Sequence, residues 1–367
     1  MRRIEISHVT EYLFPTHVSL LPHRLLLRPR ENHDVRIESS LLEISPAHTL
    51  QWKRDVLDNS VALVGFTEPS DRLRVTSSVV IQHYEENPFD FLVDDYAVIH
   101  PFEYAEEDRA ELAPFQQSVY PSDRDAVQRW LDGLGLQQPM ETFVLLDRMN
   151  REIASRFIYQ MREEPGVQPP ALTLESKSGS CRDFAALFME ACRFLGLASR
   201  FVSGYLFAPA TAAGNASTHA WAEAYLPGAG WKGFDPTSGE VVGNKHIAVA
   251  VARHPEAVPP VTGSYLALPD QHPSLSVAVR VSALPAVRLP PPGALPEGGS
   301  ALQGHPRFNA LVTRNAPATT GAPPVGAAAV TSRAYGKVLG GEDTVEHGDN
   351  GKTASGGYAT HLNEDAR

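Results

Sequence analysis

Three residues whose side chains can together transfer an acyl group occur in the order Cys181, His219 and Asp235. A thiolate can attack a carbonyl carbon, an imidazole can carry the proton, and a carboxylate can orient the imidazole. A lone cysteine or a lone histidine is usually structural. A cysteine at a helix start, followed by a histidine and an aspartate on neighbouring strands, is much less easily accidental. These three residues are therefore the candidate catalytic groups.

The helix predicted for "GSCRDFAALFMEACRFLG", residues 179–196, contains both cysteines of the chain and places them in different surroundings. Ser180 and Asp183 predict a capping box. Cys181 then occupies the first turn, where unpaired N–H groups and the helix dipole favour a thiolate. Gly179, before the cap, should let a ligand approach the backbone. Cys192 lies beside an apolar stripe and is interpreted as a small core residue.

The segment "THAWAEAYLPGAGWKGFDPTSGE", residues 218–240, predicts two strands and a turn that carry His219 and Asp235. Register decides whether these two side chains share a face of the sheet. If Leu226 paired with Trp231, Asp235 would point away from His219. If Tyr225 pairs with Trp231, the two become diagonal neighbours. We therefore expect the second register and a distance of about 2.6–3.2 Å between imidazole and carboxylate.

The elements around these residues predict an α+β fold class. Short β-branched runs at 35–45, 50–57, 60–66 and 73–84 indicate an N-terminal antiparallel, sandwich-like domain. Helical patterns at 122–135 and 141–157 precede the cysteine helix. Strand-like runs at 199–207, 219–226, 231–236 and 246–252 follow it. Helices grouped before a run of strands are typical of an α+β domain.

Composition limits the classes of function. The chain of 367 residues is 43% hydrophobic and 20% charged, which is typical of globular domains. Its net charge of −11 argues against binding to nucleic acid. We find no apolar run long enough for a membrane span and no signal-peptide pattern, so we expect no membrane association. Two cysteines in one helix cannot form a disulfide framework, and a reducing cytoplasm is the expected location.

The chain divides into three segments by composition. Beyond residue 286, tracts of Pro, Ala and Gly such as "LPPPGALPEGG" have too few large apolar residues to offset the entropy of ordering. The predicted division is an N-terminal β domain, a catalytic core and a disordered tail, at residues 1–90, 91–285 and 286–367.

Two stretches resemble the bacterial transglutaminase-like superfamily, namely "GSCRDFAALFMEACRFLGLASRFVSGYLF" and "THAWAEAYLPGAGWKGFDPTSG". The opening "ISHVTEYLFPTHVSLLPHRLLLRPR" is similar to the β-rich N-terminal domain attached to many of these proteins. The resemblance implies a papain-like core, with Cys181 as nucleophile, His219 as base and Asp235 as the orienting acid. It also implies a protein or peptide amide as substrate. We find no calcium-binding loop and expect no cofactor and no metal.

Several functions stay open at this point. An amine acceptor gives transglutaminase chemistry, whereas water gives an amidase or a cysteine peptidase, and the catalytic residues alone do not separate them. An arylamine acetyltransferase also uses Cys, His and Asp in this order, but the closely spaced hairpin and the N-terminal β domain favour the transglutaminase-like group. A non-catalytic peptide-binding scaffold is the remaining alternative. The sequence does not identify the oligomeric state.

Overall fold

The computed structural model describes residues 1–85, 87–136, 139–162, 166–207, 218–267 and 272–285, and the backbone of residues 358–363. All of them belong to one unit of the fold. Among the helices in these ranges, none combines the length and the apolar composition that a membrane crossing requires. Most of the predicted disordered tail, residues 286–367, lies outside the described residues.

The N-terminal region is antiparallel β structure, as its β-branched runs predict. Two of the predicted strands have the observed ends, and the other two differ by a few residues. The first strand spans 19 residues, and its alternating burial shows one face turned to a core. The strands are β1 (Arg2–Leu20), β2 (His23–Leu25), β3 (Val35–Ser45), β4 (His48–Arg54), β5 (Ser60–Phe66) and β6 (Ser70–His83).

The core of the protein places its helices before its main sheet, as the α+β class predicts. In chain order its elements are β7 (Ile99–His100), α1 (Glu106–Gln116), α2 (Arg124–Gly133), β8 (Met140–Glu141), α3 (Thr142–Arg156), β9 (Ile158–Tyr159), α4 (Pro170–Ser176), β10 (Ser178–Gly179), α5 (Cys181–Phe194), β11 (Ser199–Leu206), β12 (Thr218–Leu226), β13 (Gly230–Asp235), β14 (Glu240–Val241) and β15 (His246–Ala252). The main sheet is antiparallel, in the order β14-β13-β12-β11-β15.

Helix α5 is the central element of this core. Its residues from Asp183 to Arg193 are all buried. It packs against β12, whose inward positions Ala220, Ala222 and Ala224 are small and buried, so the helix can approach the sheet closely. The neighbouring helices α2, α3 and α4 pack on α5 as well. The position of the first turn of α5 is therefore determined by packing on several sides.

The chain then returns to the N-terminal sheet through β16 (Val261–Ala267) and β17 (Ser274–Leu284). β17 pairs with β1 from Leu284 opposite Arg3 to Ser274 opposite Leu13, and β16 pairs with β2. The predicted core segment 91–285 thus contains two strands of the N-terminal domain. The reason is visible in β17, whose alternating burial suits the rim of a half-buried antiparallel sheet.

One strand lies within the predicted disordered tail. The backbone of β18 (Tyr358–Asn363) pairs antiparallel with β16. The sheet built around β1 follows the order β3-β6-β1-β16-β2-β5-β4, with β17 on β1 and β18 on β16. Apolar side chains from β1, β5, β6 and β16 pack into one cluster, so the N-terminal domain is antiparallel and strand-rich as expected.

Candidate active site

Cys181 is the first residue of α5, as the capping pattern predicts. The backbone N–H and the hydroxyl of Ser180 both donate to Oδ2 of Asp183, each at 2.8 Å. The capping box is present, and the Cys181 side chain is partly exposed. The nucleophile candidate therefore lies at a fixed helix start and remains accessible.

The loop before α5 is attached to the same carboxylate. Arg162 donates to Oδ1 of Asp183 at 2.7 Å, and so does the backbone N–H of Gln168. Asp183 is completely buried, and its charge is balanced by these four donors. The predicted role of Gly179 was wrong: a Cβ there would lie 2.9 Å from the Cβ of Asp183. This glycine makes room for Asp183 rather than for a ligand.

The hairpin has the register that catalysis requires. Tyr225 pairs with Trp231, as predicted, and the ladder runs on to Ala222 opposite Phe234. It also includes Leu226 opposite Gly230, so the loop consists of residues 227–229 and not of residues 226–230, which a hairpin closing at Tyr225 and Trp231 predicts. Continuing the ladder by one pair sets Trp221 against Asp235, with His219 as the diagonal neighbour of Asp235.

His219 and Asp235 form the predicted pair. His219 Nε2 lies 2.9 Å from Asp235 Oδ2, and both side chains are almost fully buried. With Nε2 bonded to the carboxylate, Nδ1 is the ring nitrogen left for the thiol, and His219 lines the same cleft as Cys181. Cys181, His219 and Asp235 are thus brought together in sequence order.

Four donors surround the Asp235 carboxylate. Oδ1 accepts the backbone N–H of Thr237 at 3.0 Å, while Oδ2 faces His219, the Ser238 hydroxyl at 3.0 Å and His246 Nε2 at 3.2 Å. Burial alone would raise the pKa of Asp235, but the hydrogen bonds from His219 and His246 hold that pKa well below its usual range. Asp235 is therefore a carboxylate at neutral pH.

The same contacts determine the protonation state of His219. Burial lowers the pKa of His219, but the hydrogen bonds to Asp235 and to Cys181 outweigh it and raise the pKa to about 10. An imidazolium flanked by a carboxylate and a thiol is the arrangement that stabilises a thiolate near neutral pH. The geometry can therefore hold a thiolate–imidazolium pair.

Cys192 has the opposite environment. It is completely buried in the main apolar cluster, and burial raises the pKa of its thiol. It packs as a small hydrophobic residue, as predicted.

Sequence reasoning missed the residues that line the cleft over Cys181. Tyr159 and Met161 are substantially exposed and line this cleft together with Cys181 and His219. The packed part of its ring and the nearby acidic groups raise the pKa of Tyr159, so its phenol stays protonated and can donate a hydrogen bond. The pattern "FIYQM" shows only alternation and contains no signal for this role.

A larger cavity borders two of the hydrogen-bond partners of Asp235. Its volume is about 660 Å³, and Ser238 and His246 line it together with α3 residues such as Arg151. The cleft that contains Cys181 is smaller, about 60 Å³, but it is the one in which the candidate groups for chemistry meet.

One group of side chains in the described part of the chain has a donor set that could hold a metal ion. The ligand atoms of His219, Asp235 and His246 lie within 4.8 Å of one another. In this group both Nε2 atoms already face Asp235 Oδ2 at hydrogen-bond distances. Hydrogen bonds therefore account for the close approach of these three side chains.

An α+β core in which a helix-borne cysteine meets a histidine and an aspartate from an antiparallel sheet defines the papain-like class of folds. Comparison with known proteins identifies two parts of the chain. Residues 136–236 match the transglutaminase-like superfamily, and residues 4–82 match the bacterial transglutaminase-like N-terminal region. These two matches confirm the resemblance seen in the sequence: a transglutaminase-like core follows a bacterial transglutaminase-like N-terminal region.

The relatives carry no assigned activity. An uncharacterized protein of Mycobacterium tuberculosis (strain ATCC 25618 / H37Rv) is 28% identical over 274 residues, which are 71% of this chain and 87% of the relative. An uncharacterized protein of Mycobacterium leprae (strain TN) is 25% identical over 275 residues, 72% of this chain and 94% of the relative.

A solved structure shows the same fold. The crystal structure of a candidate cysteine protease from Cytophaga hutchinsonii has a TM-score of 0.60 and 17% identity, and the match covers 79% of this chain and 93% of that chain. At this identity the likeness establishes the fold alone.

Proposed function

We propose that the protein transfers acyl groups from glutaminyl or peptide amides through a thioester on Cys181. The observation that carries the proposal is the position of His219, which lies 2.9 Å from Asp235 and shares a cleft with the Cys181 thiol at the start of α5. These are the nucleophile, the proton carrier and the orienting group of cysteine acyl transfer.

The first half of the reaction consumes the amide. The Cys181 thiolate attacks the amide carbon, and the carbonyl oxygen becomes an oxyanion that the backbone N–H of Cys181 can stabilise, because this N–H has no partner within the helix. The C–N bond then breaks, and His219 gives its proton to the departing nitrogen. Ammonia or an amine leaves, and the acyl group stays on sulfur.

The second half regenerates the enzyme. Neutral His219 takes a proton from the acceptor, which attacks the thioester carbon, and the C–S bond breaks to return the thiolate. Asp235 supports the imidazolium in both halves. An amine acceptor gives a new amide, and water gives a carboxylic acid. We propose the amine reaction, with hydrolysis by an amidase or peptidase as the alternative. The cytoplasm is the proposed location.

Product analysis tests the proposal. The protein is incubated with a glutamine-containing peptide, with and without a fluorescent primary amine, and the products are separated by mass spectrometry. We expect the amine-coupled peptide from the wild type and none from Cys181→Ala, with Cys192→Ala as the matched control that keeps activity. Conversion of glutamine to glutamate despite excess amine would instead support the hydrolase. If no product forms from any amide, the non-catalytic peptide-binding scaffold is the function that remains.

A further inference from the structure

The Asp235 carboxylate has a second histidine partner that the proposed reaction does not use. His246, the first residue of β15, places Nε2 3.2 Å from Oδ2 of Asp235. Its side chain is 1% exposed, as is that of Asp235. His246 therefore contacts the same carboxylate oxygen that binds the His219 ring.

The tautomer of His246 follows from its other contact. The backbone N–H of Gly243 points at His246 Nδ1 at 3.4 Å, so Nδ1 is the acceptor. A neutral imidazole then carries its proton on Nε2 and donates it to Asp235. His246 thus donates from Nε2 to the carboxylate, whereas His219 is the group that moves the proton.

A glycine in β11 leaves the space that this contact needs. β11 separates β12 from β15, and its residue opposite His219 is Gly204. A Cβ at Gly204 would lie 2.2 Å from the backbone oxygen of Ile247 and 2.7 Å from the ring of Trp221. The β11–β15 register also shifts between Ser203 and Gly204.

The missing side chain lets two rings fill the space beside the pair. Trp221 and His246 pack edge to face, with ring centroids 5.2 Å apart, and the His219 and His246 centroids are 6.1 Å apart. The imidazole of His246 is therefore held by packing as well as by hydrogen bonds, which is what a group that positions another must have.

We infer that His246 is a positioning residue of the active site: it fixes the Asp235 carboxylate so that the carboxylate can orient His219 toward Cys181. The inference rests on the proposed function. His246 does not touch the thiol or the cleft; it acts through Asp235. Ser238 donates to the same oxygen at 3.0 Å and supports the carboxylate alongside His246.

Two variants separate the hydrogen bond from the bulk of the side chain. His246→Gln keeps a donor nitrogen the same number of bonds from Cβ, whereas His246→Leu fills the space without a donor. His23, which is also buried but belongs to the N-terminal sheet, provides the control His23→Leu. We expect His246→Leu to lower kcat about tenfold to a hundredfold, the loss of one hydrogen bond to a charged group, with KM within about twofold. His246→Gln should recover most of this loss.

A second readout does not need an acyl substrate. Alkylation of Cys181 by iodoacetamide at neutral pH should slow in His246→Leu, recover in His246→Gln and stay unchanged in His23→Leu. If the wild-type protein is alkylated at Cys181 but forms no acyl product, the proposed function is refuted. The comparison of alkylation rates among the variants still tests the role of His246. Equal alkylation rates in wild type and His246→Leu, or equal losses in the Gln and Leu variants, would overturn the inference.

Two measurements on the wild-type protein complete the test if the Leu variant does not fold. Nitrogen-15 NMR of histidine-labelled protein should show the proton of His246 on Nε2; a proton on Nδ1 would overturn the inference. Elemental analysis should find no stoichiometric metal. One equivalent of metal, lost in His246→Leu, would show that the cluster of His219, Asp235 and His246 is a metal site instead.

Discussion

Replacement of Asp235 by asparagine removes the charge from the centre of the site while keeping its shape. Three donors converge on Oδ2, from His219, His246 and Ser238, and the Thr237 N–H points at Oδ1. An asparagine has one acceptor oxygen, so its NH₂ group must face a donor in either orientation. In the better orientation, with NH₂ toward the Thr237 N–H, the variant loses a charge-assisted hydrogen bond and gains one donor–donor contact.

The magnitude follows from these two losses. A hydrogen bond to a charged group contributes about 1.5–3 kcal/mol, and an unsatisfied buried polar group costs about 1–3 kcal/mol. If both free-energy losses act on the orientation of His219, the rate of Cys181 acylation drops by a factor of about 10² to 10⁴. The substitution is nearly isosteric, so the packing around Phe234 and Trp221 should remain.

The assay is the rate of Cys181 alkylation between pH 5 and 9, followed by intact mass, together with thermal unfolding. Asp235→Asn should alkylate far more slowly than wild type at pH 6 and approach it only at alkaline pH, because the imidazolium that supports the thiolate is weakened. Ser118→Ala, remote from this carboxylate, is the control. An unchanged rate profile with an unchanged unfolding midpoint would refute the role of the carboxylate.

Three further outcomes are expected. At neutral pH, iodoacetamide should modify Cys181 much faster than the buried Cys192, as peptide mapping can show; equal rates would contradict the assignment. The pKa of His219 is raised to about 10, and in a thiolate–imidazolium pair the retained proton comes from the Cys181 thiol; the free energy of unfolding should therefore be level up to the ordinary thiol pKa of about 8.5 and decline from there to pH 10 by up to about 1.4 kcal/mol per unit, and His219→Gln should remove this decline in denaturant titrations. Gly204→Ala should lower the free energy of unfolding by about 1–3 kcal/mol, since its Cβ meets backbone, and an unchanged midpoint would disprove this crowding.

Local patterns predicted the parts of the site that depend on neighbours in sequence. The capping box required only Ser180 and Asp183, and it placed Cys181 at the first turn of α5. The pairing of Tyr225 with Trp231 alone determines which side chains of the short hairpin share a face, and it puts His219 and Asp235 on one face. In both cases a few adjacent residues determine the geometry, so the sequence contains the signal.

The remaining features depend on contacts between distant elements. His246 reaches Asp235 from β15, with β11 and β12 between their strands, and this requires the absence of a side chain at Gly204. The return of β17 to β1 is a pairing of residues more than 260 positions apart. Gly179 was misread because the capping pattern does not show how closely its backbone packs against the Asp183 side chain. Neither the periodicity nor the composition of the sequence predicts such contacts.

The central claim is that Cys181 carries the acyl group. It is tested most directly by acid-quenching the protein during reaction with a glutamine-containing peptide and mapping the adduct by mass spectrometry. We expect a thioester on Cys181, formed with loss of ammonia, present in Cys192→Ala and absent in Cys181→Ala. An adduct on Cys192, or none on Cys181 with glutaminyl and peptide amides alike while iodoacetamide still labels that thiol, would contradict the account.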